Sequence, residues 1–208
     1  MKGLLIKDFL TIKKKYGVPR LIIALMIILG GTGAIYISFL LIPMEVASMV
    51  MSLTTCDEQW KWGKYAISLP VSKTQIVKSR YAFALILSLV GFAVALGVNT
   101  ISFICFPAYR FGFYVFLSIA SLGVTLLFLS FILPSNYSLG VNAGFAAMII
   151  MVILLIILGI WSKLTNNAIM WFVVEHFELS MVITFVGVAI LFVLSYALSV
   201  SFFKRKHT

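Results

Sequence analysis

The chain has 208 residues, 62% of them hydrophobic and 11% charged, with a formal net charge of +10 and a mean hydropathy of +1.14. Soluble domains carry about 25% charged and about 45–50% apolar residues, so a water-soluble globule is excluded. The charge-free stretches 21–44, 46–56, 81–109, 111–162 and 179–203 have room for several membrane helices of ~20 residues each. The chain therefore reads as an all-α integral membrane protein, a single transmembrane domain over 1–208. Basic residues set beside apolar spans are topology signals, and no basic stretch here belongs to a soluble nucleic-acid reader.

Residues 1–17 are charged yet periodic. At 100° per residue Leu5, Ile6, Phe9, Leu10, Ile12 and Tyr16 fall on one side, and Lys2, Lys7, Asp8, Lys14 and Lys15 on the other. This predicts an amphipathic interface helix, ended by Gly17 and Pro19. The apolar run from Leu21 is longer than the ~7–15 residues of a signal-peptide core and is read as a retained span.

Residues 21–56 contain one charge, Glu45, and parity decides how they divide. A single crossing would put Lys61, Lys64, Lys73, Lys78 and Arg80 on the opposite side from the basic N-terminus, against the positive-inside bias. Two short spans at about 20–36 and 38–56, with a tight turn between Gly33 and Ser38, avoid this. Four more are expected at 81–106, 111–133, 139–161 and 179–203, six in all. Pro107 marks one joint, and Pro134, Ser135, Asn136 and Ser138 mark another. The segment 163–178, with Trp171, Glu175, His176, Phe177 and Glu178, is too apolar for a free loop and is expected to lie at the outer face.

With both termini inside, Arg110 and Lys163 alone among the 16 Lys and Arg residues remain on the outer side. Cys56 and Cys105 then fall near opposite faces, too far apart for a disulfide.

Catalytic signatures are absent from the sequence: no His-Glu-x-x-His, no Gly-x-Ser-x-Gly, and no Gly-x-x-x-x-Gly-Lys-Ser/Thr phosphate loop. Glu175, His176 and Glu178 are poorly spaced for a metal and read as a solvated turn. No catalytic residue, metal site or cofactor is expected in this chain, and any nucleotide-driven motor must be another polypeptide.

The stretch 57–80 is the most informative. Asp57 suits the N-cap of a short helix, and Pro70 would stop that helix. Ser72 with Gln75 forms a capping box that opens a second helix running into the third span. The alternative is an ordinary basic loop. Glu45, two residues after Pro43, is the one acid inside a proposed span, and is either a functional carboxylate or a packing group. Asn99, Asn142, Thr125 and Ser130 either line a path or bond between helices. Gly140 and Gly144 make a Gly-x-x-x-Gly pair at the start of the fifth span.

This arrangement resembles the compact bacterial permeases of the ABC-2 transporter family. The resemblance rests on Met1-Lys2-Gly3-Leu4-Leu5-Ile6-Lys7-Asp8 and on Asp57-Glu58 followed by Trp60 or Trp62 and Lys64-Tyr65. It continues through Ser68-Leu69-Pro70-Val71-Ser72, Ile76-Val77 and Arg80-Tyr81. It implies a bacterial plasma-membrane exporter subunit driven by a separate ABC ATPase, present in two copies, on which ATP and magnesium are held. A cytoplasmic coupling helix between spans two and three would dock on that ATPase through Asp57, Glu58, Trp60, Lys64, Tyr65, Leu69, Pro70, Val71 and Ser72. A second permease copy or a homologous permease would complete a substrate path, with Glu45, Asn99 and Asn142 as candidate lining. An apolar path suits hydrophobic drugs, lipids or amphipathic peptides. A substrate-capture component of an energy-coupling importer is the alternative, and an intramembrane enzyme a more distant one.

Overall fold

The computed structural model describes residues 2–15, 35–62, 65–66, 72–107, 110–164 and 177–206. Within them lie six helices: α1 (Lys2–Lys15), α2 (Ile35–Gln59), α3 (Lys73–Cys105), α4 (Phe111–Leu139), α5 (Val141–Leu164) and α6 (Phe177–Lys206). No strand occurs among the described residues. Helices α2 to α6 are each long and apolar enough to cross a membrane. The expected first span at about 20–36, apart from its last two residues, which belong to α2, lies outside the described residues, as do the elbow Leu69-Pro70-Val71, Lys64 and most of 163–178.

α4 is central and packs against α2, α3, α5 and α6. One core cluster joins Val46 and Val50 of α2, Val77, Tyr81 and Ala84 of α3, Leu129 and Leu133 of α4, and Phe203 of α6. A second joins Ala47 and Met51 to Phe128, Ile132, Val141 and Met151. Some of the polar groups inside are matched in pairs, which suits a bilayer environment. Tyr81 shares its hydroxyl with Ser195 and Ser199, 2.7 Å from each, and meets Phe192 and Tyr196 edge to face.

The contacts fix the directions of the helices. The end of α2 meets the start of α3 through Val50, Val77 and Tyr81, while Ile42 near its beginning meets Ala95 and Val98. Glu58 at the end of α2 reaches Val141 at the start of α5, and Tyr137 at the end of α4 meets Phe203 at the end of α6 edge to face. One end of the bundle therefore gathers α1, the close of α2, α4 and α6, and the beginnings of α3 and α5. It carries Lys13, Lys14, Lys61, Lys73, Lys78, Lys204 and Arg205 and is called the basic end below. The start of α2 and the junction of α3 with α4 lie at the other end.

Three boundaries differ from the sequence expectations. The second span is not a short helix over 38–56: α2 has 25 residues and passes through Pro43. The Pro134–Ser138 joint is absent, because α4 continues through Pro134 to Leu139. Ser135 and Ser138 return their hydroxyls to the carbonyls of Phe131 and Ser135, and Asn136 reaches across to α2, so residues that read as a turn become helix side chains. The break falls instead at Gly140, whose φ of 91° is costly for any residue with a Cβ. As a result Gly140 is the joint itself and does not share a helix face with Gly144.

Candidate functional site at the basic end

The last turn of α2 does not contain a new N-cap at Asp57, as the sequence suggested. Asp57 lies inside α2, at the helix end where the dipole disfavours an acid, and two cations compensate. Lys7 Nζ of α1 donates to Asp57 Oδ1 at 2.7 Å, and Arg80 Nη2 of α3 donates to Asp57 Oδ2. Asp8 completes the cluster. Its Oδ1 lies 3.3 Å from Lys7 Nζ and 3.4 Å from Arg80 Nη1. Asp8 is 2% and Arg80 8% exposed, so losing one member would leave a buried charge uncompensated, at a cost of about 3–5 kcal/mol.

This cluster determines how α1 sits. The side bearing Lys7 and Asp8 is turned onto α2 and α3, while Ile6, Phe9 and Leu10 point outward. The two tryptophans of the segment divide their roles: Trp62 lies under the Lys7 ammonium, 4.3 Å from ring centre to nitrogen, whereas Trp60 is 57% exposed. Lys61 between them turns the chain with φ 51°. Tyr65 is also largely exposed, at 64%.

Glu58 ties this segment to the far side of the bundle. Its Oε1 accepts a hydrogen bond from Val141 N at 3.1 Å, so a carboxylate from the end of α2 caps the positive end of α5. Ser72 is the N-cap of α3. Its Oγ accepts from Gln75 N at 3.3 Å, and Gln75 Oε1 accepts from Ser72 N at 3.4 Å.

The expected path residues do not come together. Glu45 is half-buried in a groove between α2 and α3, beside Ile42, Met49, Leu87, Val90 and Val94. Asn99 is buried and donates to Ser118 Oγ at 2.8 Å and to the Tyr114 carbonyl at 3.3 Å, joining α3 to α4. Asn142 is exposed in the first turn of α5, at the basic end.

Lys7, Asp8, Arg80, Trp62 and Asn136 entered the sequence reading only as parts of motifs, helix faces or joints, not as site residues. A signal existed for two of them: Asp8 is the one acid in an otherwise basic first helix, and Arg80 directly abuts an apolar run.

Among the described residues no group of three His, Cys, Asp or Glu side chains could hold a metal ion. What the arrangement offers is mechanical. Exposed aromatic side chains project from a short segment whose two flanking helices are held by one ion cluster.

No curated protein and no solved structure matches the chain. The family model described as ABC-2 family transporter protein matches residues 3–204, which takes in every helix described except the last few residues at the chain ends. A helical bundle crossing the membrane several times and matched over nearly its whole length belongs to the ABC-2 family, as the membrane-embedded permease component of a transporter that works with an ABC ATPase.

Proposed function

We propose that this chain is the transmembrane subunit of an ATP-driven exporter in the bacterial plasma membrane. In this reading both termini and the segment 57–80 are cytoplasmic. Two permease copies, identical or homologous, enclose the path, and two ATPase subunits carrying ATP and magnesium drive it. The ATPase docks on the segment running from Asp57 to Ser72. Hydrophobic or amphipathic compounds are the substrates, and Glu45 and Asn142 are the polar groups they meet, while Asn99 holds α3 to α4.

The observation that supports this most directly is the placement of Trp60 and Tyr65, exposed between two helices that Asp57 and Arg80 clamp together. A partner pressing on that surface moves α2 and α3 as one body, and through Glu58 the start of α5 as well. Aromatic side chains at the centre of an interface are frequent hot spots worth about 2 kcal/mol or more.

The test is co-purification of an ABC ATPase with the tagged chain from its native membrane, followed by ATP-driven export from vesicles. Trp60→Ala with Tyr65→Ala should weaken ATPase recovery at least about tenfold, with the permease still inserted. Charged residues at Leu69 or Pro70 should leave ATP hydrolysis running without export. Full export in both variants would remove the segment from the mechanism.

A further inference from the structure

Helix α1 has a face that the bundle does not use. Among its described side chains and its glycine, Gly3, Ile6, Phe9, Leu10, Lys13 and Lys14 are exposed. At 3.6 residues per turn these positions share an arc of about 140°, while Leu4, Asp8 and Thr11 lie on the opposite side, buried or half-buried. Ile6, Phe9 and Leu10 are each more than half exposed. Three large apolar side chains on one helix face form a patch that marks an interaction surface, and a helix of 14 residues with this many charges does not itself cross a bilayer.

The ion cluster fixes the depth of the helix. Lys7 and Asp8 meet Asp57 and Arg80, and these two are the charges that bound the charge-free stretches 46–56 and 81–109. α1 is therefore held level with the ends of the apolar helices, where hydrocarbon gives way to head groups. Trp62, beside Lys7, is of the type favoured at that depth. A short helix held there with an apolar outer side is suited to lie in the interface plane.

Lys13 and Lys14 decide which lipid suits it. They stand one turn beyond Phe9 and Leu10 on the same exposed face. The carboxylates that α1 meets, Asp8 and Asp57, are already taken by Lys7 and Arg80. The outer face is therefore apolar and positively charged at once. A lysine close to an anionic lipid surface contributes a factor of about five in binding, and a zwitterionic surface offers no net charge to supply it.

We propose that the outer face of α1 docks on an anionic phospholipid leaflet. Ile6, Phe9 and Leu10 enter the acyl boundary, and Lys13 and Lys14 gather anionic head groups at the basic end of the bundle. This surface stands whether or not an ATPase docks on the neighbouring segment.

The test places a thiol-linked fluorophore at Leu10→Cys in the full chain carrying Cys105→Ser, with Cys56 buried, in nanodiscs of phosphatidylcholine. Small equal amounts of phosphatidylglycerol or phosphatidylcholine, each bearing a nitroxide near the top of one acyl chain, serve as quenchers. Both should quench, and the phosphatidylglycerol probe should do so at least about twofold more strongly. Lys13→Gln with Lys14→Gln should remove that excess and leave quenching by the phosphatidylcholine probe in place. Salt at about 1 M, where the Debye length falls to ~3 Å, should do the same.

No quenching by either probe would mean that the outer face meets water or a protein, and would overturn the proposal. Equal quenching by both in the chain with its lysines intact would leave an interface helix without preference for anionic lipid, and would overturn it as well. An excess that persists in the double glutamine variant would belong to other basic residues and would remove Lys13 and Lys14 from the surface. If the label at Leu10 prevents insertion, the same label at Gly3→Cys decides, since a Cβ there meets nothing within 4 Å.

Discussion

Two residues define what single side chains contribute. At Gly144 α5 lies close against α4 and α2: a Cβ built there would run into Asn136 Oδ1 and would lie 2.7 Å from Asn136 Cγ and 2.8 Å from Met51 Sδ. Alanine is the better helix former by up to ~1 kcal/mol, but overpacking of this kind costs about 1–3 kcal/mol, so Gly144→Ala should destabilise. Gly97→Ala, with nothing within 4 Å, should be neutral or slightly stabilising. Unfolding midpoints of both variants in one detergent check this, and the reverse order would mean that α4, α5 and α2 pack less closely than their contacts indicate. Glu45 is the second case. A carboxylate at membrane depth is expensive unless it is neutral, paired or hydrated. Ser48 donates to the Glu45 carbonyl at 2.8 Å, and apolar side chains surround the groove. If Glu45 meets substrate, Glu45→Gln keeps the shape and alters turnover or substrate preference with normal yield of folded protein. Wild-type export from both Glu45→Gln and Glu45→Ala would end that role.

The start of α3 rests on a local rule. The Ser72 and Gln75 bonds satisfy two of the backbone donors that an exposed helix start leaves over. Ser72→Ala should therefore cost about 1 kcal/mol, seen as faster amide hydrogen exchange at Gln75 and Ile76. No change in exchange would show that packing alone holds that turn. This element was legible in the sequence because its partners are three residues apart, and the five spans among the described residues were legible because composition over 20 or so residues suffices for them. Asp57 was misread for the converse reason. The capping rule sees its neighbours, but Lys7 is 50 residues away and Arg80 is 23, and only the assembled bundle brings them together. Pro134 was misread because proline and serine usually end helices in water. Inside an apolar bundle the cost of unsatisfied backbone groups favours continuing the helix, and the serine hydroxyls bond its carbonyls. Glu58 reaching Val141 has no local signature at all, being set by where α4 turns at Gly140.

For the molecule as a whole, helix lengths and charge lead to an orientation that can be tested. α3 has 33 residues, about 50 Å at ~1.5 Å per residue, against a hydrocarbon core of ~30 Å. The surplus falls at the basic end, where Lys73, Lys78 and Arg80 occupy its first turns, while its last residue, Cys105, emerges at the other end. Cys105 is exposed and Cys56, at the basic end, is buried, so the native chain carries its own topology probe. The positive-inside bias predicts that the basic end faces the cytoplasm. An impermeant maleimide applied to intact cells should then label the unmodified chain at Cys105 and fail to label Cys105→Ser. Adding Gln59→Cys, at an exposed position beside the ion cluster, to Cys105→Ser should restore labelling only after the cells are permeabilised. Labelling of that double variant in intact cells, with Cys105 protected in the native chain, would invert the orientation. It would also move the Trp60 and Tyr65 surface to the side of the membrane where no ATPase can reach it.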